Sequence, residues 1–142
     1  MSLNPKSTER FGMLDILRKL VHDIDAAPTL IAALDVIVQS VKDALKTEVC
    51  SIYLLDERSS RYVLMATQGL NAEAVGTVSL GLSEGLVGLV GQREELINLE
   101  DASSHPRYYY LPETGEEKYN SFLGVPIMNR RKVLGVMVVQ QQ

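Results

Sequence analysis

The chain has 142 residues, with 14 basic and 18 acidic side chains and a formal net charge of −4. This length suits one domain with one core, and the negative charge argues against a nucleic-acid surface. Because no apolar run approaches the ~20 residues that cross a bilayer and the N-terminus lacks an apolar signal core, we expect a cytoplasmic protein without a membrane partner.

Cysteine and histidine are too scarce for a metal centre. Cys50 is the only cysteine, which excludes an intrachain disulfide and a cysteine-rich metal site. The two histidines, His22 and His105, lack any zinc-ligand spacing. We therefore expect no metal and no cofactor.

Two amphipathic helices are predicted before the first strand. We interpret residues 1–12 as a flexible tail ahead of a domain over 13–142, although a helical pattern already begins near Ser7 and continues to Asp25. Pro28 suits the first turn of the second helix, whose apolar stripe ends near Leu45.

Six short strands are predicted after these helices, over residues 48–55, 62–67, 77–80, 96–99, 124–128 and 133–140. Between them, the sequence predicts a short helix capped by Ser83 and ending near Gly91, a long loop over 100–115, and a short helix over 116–122. Hairpins dominate this order, which favours an α+β fold with an antiparallel sheet. The N-terminal helices would cover one sheet face, and residues 83–126, here called the cover segment, the other.

The cover segment contains unusual glycines and tyrosines. Gly85, Gly88 and Gly91 do not form a phosphate-binding motif. They would let a short helix pack closely on the sheet or let its backbone touch a ligand. The tyrosines at 108–110 would either close over a small molecule or simply pack their own loop down.

The first strand presents two different faces because side chains alternate along it. We expect Cys50 to face the helices as a buried, unreactive thiol, since no cationic neighbour activates it. Ser51 and Tyr53 would then face the cover segment, where a buried serine needs a partner, and this favours a polar pocket. His105 precedes a proline and is interpreted as a turn residue.

Several motifs together resemble a GAF domain, a small-molecule-binding sensory module. They are CSIYLLD, MATQGL, EGLVGLVG, INLEDA followed by HP, and FLGVPI followed by LGV. The sequence of these motifs is similar to that of the N-terminal GAF domains of bacterial nitrogen-branch phosphoenolpyruvate–protein phosphotransferases. The resemblance implies a sheet with a ligand pocket on one face, and it carries that pocket onto Ser51, Thr67, Gln68, Leu86, Val87, Tyr109 and Tyr119. Strand alternation adds Tyr53 to this set.

Two departures from the GAF pattern matter. The C-terminal helix usual in GAF domains is missing after Gln142, so we expect a homodimer formed through the N-terminal helices. The phosphotransfer histidine and the phosphoenolpyruvate-binding barrel of the phosphotransferases are also missing. We therefore expect no catalytic residues and no enzyme activity in this chain.

The first functional hypothesis is a regulatory domain that senses a small metabolite, such as glutamine or 2-oxoglutarate. It would link nitrogen status to the catalytic domains of a parent phosphotransferase. The second is a dimerisation and signal-relay domain without a ligand, its pocket filled by its own side chains. A stand-alone enzyme is a third hypothesis, against which the absence of a nucleophile–base pair argues.

Overall fold

The computed structural model describes residues 27–109, 111–115 and 119–142. Helix α1 (Ala27–Leu45) is followed by strands β1 (Val49–Asp56), β2 (Arg61–Gln68) and β3 (Ser79–Gly81), helix α2 (Gly85–Arg93), and strands β4 (Ile97–Leu99), β5 (Phe122–Asn129) and β6 (Lys132–Gln140). Short 3₁₀ turns lie at Ala72–Ala74 and Ala102–Ser104. The helix predicted over residues 7–25 lies outside the described residues.

The six strands form one antiparallel sheet in the order β3-β2-β1-β6-β5-β4. Strands that follow each other in the chain pair as hairpins, except for β3 and β4, which form the two edges of the sheet. Strand β6 lies at the centre beside β1. This arrangement confirms the predicted α+β class and the antiparallel sheet. Neither described helix has the length and apolarity needed to cross a membrane.

Helix α1 covers one face of the sheet. Its stripe of Leu30, Leu34 and Val38 packs on the side chains of β1 that alternate toward it, which are Cys50, Ile52 and Leu54. The opposite face buries Tyr53, Leu64 and Val136 beneath α2. The alternation predicted for β1 is therefore confirmed.

A bulge in β2 changes which of its side chains share a face. Ile52 of β1 pairs with Ala66, while the next residue, Tyr53, pairs with Leu64, so Met65 is an extra residue in β2. A bulge of this kind shifts the alternation by one residue. As a result, Leu64 and Thr67 both lie on the side of the sheet opposite α1.

Helix α2 lies close to the sheet because glycines remove side chains from the contact. A Cβ atom at Gly91 would overlap the Tyr62 hydroxyl, and one at Gly88 would lie 2.9 Å from the Leu82 carbonyl oxygen. Contacts this short leave no room for a methyl group. The predicted close packing on the sheet is confirmed at Gly91, whereas Gly88 leaves room for the turn before α2.

Two local predictions were wrong. Ser83 does not cap α2, since the cap residue is Glu84. Of the helix predicted over 116–122, residues 116–118 lie outside the described residues, 119–121 are not helical, and Phe122 begins β5. Phe122 pairs with Leu99 and is buried, so sheet pairing overrides the local helical pattern.

Candidate functional site

A small cavity lies between the sheet, the start of α2 and the tyrosines of the loop before β5. Its walls are formed by Tyr53, Leu80, Gly85, Leu86, Val87, Ala102, Tyr108, Tyr109, Phe122 and Gln140. Its volume is about 20 Å³. Since one water needs roughly 10–15 Å³ by this measure, the cavity has room for a single water.

Four of the eight predicted site residues belong to the cavity wall, namely Tyr53, Leu86, Val87 and Tyr109. The other four, Ser51, Thr67, Gln68 and Tyr119, lie outside it. Gln68 is half-buried at the end of β2, and the Tyr119 hydroxyl donates to the Gly69 carbonyl over 3.4 Å. Ligand contact by any of the eight stays a prediction.

Ser51 is fully buried, but its partner is another strand residue. Its hydroxyl shares a 2.8 Å hydrogen bond with the hydroxyl of Thr67, its cross-strand neighbour. The Leu70 N–H also donates to the Thr67 hydroxyl, over 3.4 Å. Ser51 therefore has the partner that a buried serine needs, and because a neighbouring strand supplies it, the burial of Ser51 does not by itself indicate a polar pocket.

The first turn of α2 forms part of the cavity wall. The cap residue Glu84 makes no side-chain cap, because its carboxylate accepts a 2.7 Å hydrogen bond from the Gly81 N–H. Among the described residues, nothing accepts a hydrogen bond from the N–H groups of Gly85, Leu86 and Val87. Such amides carry the positive end of the helix dipole.

Tyr109 lies directly over this helix start. Gly85 has a left-handed φ of +64°, and a Cβ atom there would lie only 3.1 Å from the Tyr109 Cβ. Glycine therefore allows both the sharp entry into α2 and the close approach of Tyr109. The tyrosine side chain is 46% exposed, so it forms the outer wall of the cavity.

Arg107 holds the tyrosine loop (residues 105–109) against α2. Its guanidinium donates to the Ser83 carbonyl over 2.6 Å and to the Gln92 side-chain oxygen over 3.2 Å. Its backbone N–H donates to His105 Nδ1 over 3.0 Å. This bond confirms His105 as a turn residue.

The flanks of the tyrosine loop are anchored separately. The Asp101 carboxylate accepts hydrogen bonds from the hydroxyls of Ser104 (2.6 Å) and Ser103 (2.9 Å), and these bonds lower the pKa of Asp101. Beyond the tyrosines, the Asn71 side chain donates to the Glu113 carbonyl over 2.9 Å. Hydrogen bonds therefore hold the chain on both sides of the tyrosines.

Gln140 is the polar side chain that the sequence reading missed. It is only 3% exposed, and it lines the cavity. It follows Val136 and Val138 at two-residue steps on the same face of β6. Strand alternation could have identified it as an inward-facing amide.

The other chemically active groups lie away from the cavity or do not cluster. Cys50 is buried in the contact with α1, and burial raises the pKa of its thiol to about 11. The thiolate needed for nucleophilic chemistry is therefore scarce at neutral pH. Across the described ranges, no three His, Cys, Asp or Glu residues are grouped so as to hold a metal ion.

Comparison with known proteins gives consistent relatives. The family model described as "GAF domain" matches residues 29–142. The phosphoenolpyruvate-dependent phosphotransferase system protein of Escherichia coli K12 is 49% identical over 121 residues, which are 85% of this chain but 16% of that protein. The chain thus spans about a sixth of the length of this curated relative.

Two solved structures are similar over most of the chain. The GAF domain of an Acinetobacter phosphoenolpyruvate–protein phosphotransferase is 60% identical with a TM-score of 0.71, covering 91% of this chain and 76% of that one. The corresponding domain from Coxiella burnetii is 48% identical with a TM-score of 0.75, covering 93% of this chain and 79% of that one.

Proposed function

The chain belongs to the GAF domain family, and from this premise we propose that it is the ligand-sensing domain of a phosphoenolpyruvate–protein phosphotransferase. The catalytic domains would lie in other parts of the parent protein, and this chain would not catalyse phosphotransfer. The metabolite would report nitrogen status in the cytoplasm, with glutamine and 2-oxoglutarate as the candidates.

One observation carries this proposal: a small cavity, whose wall includes the buried Gln140 and the start of α2, lies beneath an anchored loop. A metabolite in this cavity would form hydrogen bonds with the polar groups of its wall.

Binding requires a second state of the tyrosine loop, because the cavity holds only about 20 Å³ in the described state. Outward movement of Tyr109 would enlarge the cavity toward α2. A ligand that binds only the open state shifts the population toward it. The change in loop position is then the signal that the rest of the parent protein would read.

The small cavity also favours a second function, a dimerisation and signal-relay domain whose pocket is filled by Tyr109 itself. This domain would form a homodimer through its N-terminal helices. In the described part of those helices, Val36 on α1 is 65% exposed and available for such a contact.

Calorimetric titration of the 142-residue chain with glutamine and with 2-oxoglutarate separates the two functions. We expect one-site binding of one metabolite, weakened about tenfold or more by Val87→Phe, since an added ring fills the cavity wall and overpacking has no easy relief. Val36→Phe makes the same substitution on the exposed face of α1 and should leave binding unchanged.

The absence of heat from both metabolites at millimolar concentration would exclude them as ligands and favour the relay function. Equal binding by wild type and a folded Val87→Phe variant would place the ligand elsewhere. Light scattering that gives a dimer mass without any ligand heat would support the relay function further.

A further inference from the structure

We propose that the turn between β5 and β6 binds a short acidic segment of a protein. Arg130 and Arg131 form this turn, and Arg58 lies in the neighbouring turn between β1 and β2. These three residues are called the arginine patch below. The patch shares no residue with the cavity wall, so binding here does not require a metabolite in the cavity.

The backbone of the β5–β6 turn is unfavourable for arginine. Asn129 pairs with Lys132, which leaves a two-residue turn of Arg130 and Arg131, with φ angles of +50° and +65°. Positive φ at both positions suits the twist of the strands but brings each Cβ atom close to the backbone, so asparagine followed by glycine is the favoured pair. Within the described ranges, no other adjacent pair of non-glycine residues has positive φ.

The folding of the hairpin therefore does not explain why arginine occupies both turn positions. Both residues are exposed, so their side chains are not needed to fill the core. Sterically disfavoured residues that persist at a surface turn indicate a function for their side chains. What these two side chains offer is positive charge and a planar set of hydrogen-bond donors.

The second support is the missing counter-charge at this end of the sheet. The Lys132 ammonium pairs with the Glu57 carboxylate. The Asp56 carboxylate accepts hydrogen bonds from the Arg58 backbone N–H over 3.1 Å and from the Ser59 hydroxyl over 3.0 Å. Both nearby carboxylates thus already have partners, and none of the described residues forms a hydrogen bond or an ion pair with a guanidinium group of the patch.

The two turns are placed to act together on one partner. Because β1 pairs with β6, the β1–β2 and β5–β6 turns lie side by side at the same end of the sheet. Neighbouring strands lie about 4.8 Å apart, so the midpoints of the two turns are about 10 Å apart. This separation is close to the Debye length at physiological salt, so the potentials of the three guanidinium groups add. The patch is thus locally positive on a chain of net charge −4.

Carboxylates are the groups that this patch fits best. A guanidinium group can donate two parallel hydrogen bonds to one carboxylate. Residues three apart in an extended chain lie about 10 Å apart, so one acidic segment can reach both turns. A nucleic acid fits less well, because the net charge of −4 repels phosphates and neither turn has an aromatic residue on which a base could stack.

Fluorescence anisotropy of labelled decaglutamate with the 142-residue chain tests this proposal. We expect saturable binding that weakens as salt is added, since exposed charges are screened. The turn variant Arg130→Asn/Arg131→Gly should weaken binding about tenfold or more. The control variant Lys46→Asn/Arg93→Gln removes the same two charges from exposed residues outside the patch and should change binding by less than about twofold.

The turn variant also separates recognition from folding. Because asparagine and glycine suit this turn, its melting temperature should rise by about 3 °C or more above that of the wild type. Lost binding in a more stable protein cannot be attributed to lost structure. A lower melting temperature would show that the arginines support the hairpin, and it would overturn the proposal.

Three binding results would also overturn it. The first is the absence of decaglutamate binding by the wild type. The second is equal affinity of the turn variant and the control variant, since net charge alone would then account for the binding. The third is tighter binding of decathymidylate than of decaglutamate, which would assign the patch to nucleic acid.

Discussion

Replacing Gly91 with alanine is expected to destabilise the fold by about 3 kcal/mol, within the range of severe overpacking. The added methyl would overlap the Tyr62 hydroxyl and lie 2.7 Å from the ring carbon that carries it. Tyr62 is 3% exposed, so its ring has no free space into which to move. Helix propensity alone predicts the opposite sign, a gain of about 1 kcal/mol for alanine over glycine.

A double-mutant cycle tests this cause of the loss. Tyr62→Phe removes the atom that the methyl overlaps, so Gly91→Ala should cost about 1 kcal/mol less in that background, a coupling typical of residues in contact. Gly76→Ala is the control, since a Cβ there meets nothing within 4 Å and only its φ of +83° is unfavourable. Urea unfolding measures each free energy. Unchanged or increased stability of Gly91→Ala would contradict the close packing of α2 on β2.

Replacing Leu34 with alanine is expected to cost about 3 kcal/mol, because deletion of a fully buried leucine leaves a cavity. Leu34 has no exposed surface and joins α1 to the sheet in one hydrophobic cluster. Val36→Ala on the same helix is the matched control. Val36 is 65% exposed, so its truncation should change stability by less than about 0.5 kcal/mol.

The same urea titration gives both values. If Val36→Ala destabilises the chain as much as Leu34→Ala, then the exposed side of α1 is buried in solution. The dimer expected through the N-terminal helices would explain that result, and the stability of Val36→Ala should then depend on protein concentration.

Local periodicity was sufficient to predict the elements whose side chains follow a single repeat along the sequence. Cys50 and Ile52 alternate with Ser51 and Tyr53, and the structure separates these pairs onto the two sheet faces. The spacing of the α2 glycines likewise indicated close packing, because few other patterns place three glycines on a short helix. These predictions needed no knowledge of distant contacts.

Features that depend on pairing between distant segments could not be read locally. The bulge at Met65 arises from how β2 pairs with β1, and it brings Thr67 beside Ser51. Phe122 belongs to β5 because it pairs with Leu99, although its neighbours in the sequence favour a helix. Three of the seven residues implied by the resemblance, Leu86, Val87 and Tyr109, line the cavity, whereas Ser51 and Thr67 form a hydrogen bond with each other across paired strands.

Two residues of the site region, Gln140 and Arg107, were not predicted to belong to it. Gln140 continues the inward alternation of Val136 and Val138, so a buried amide was predictable from β6 alone. Arg107 lies 24 residues after Ser83, and its contact with the Ser83 carbonyl depends on how the loop folds back. Only the first of these was accessible from sequence.

The proposed function requires the tyrosine loop to open by itself over the start of α2. Amide hydrogen exchange of the ligand-free chain measures this directly, since segments that open locally exchange with a lower free energy than the global value. We predict that the Gly88 amide, which donates to the Glu84 carbonyl in the first turn of α2, exchanges at least about tenfold faster in Tyr109→Gly than in wild type, a shift of about 1.4 kcal/mol in opening free energy. The Ser51 and Val138 amides, in the paired strands β1 and β6, should be unchanged. Exchange of Gly88 only with global unfolding, at the free energy of Val138, would contradict a movable cover.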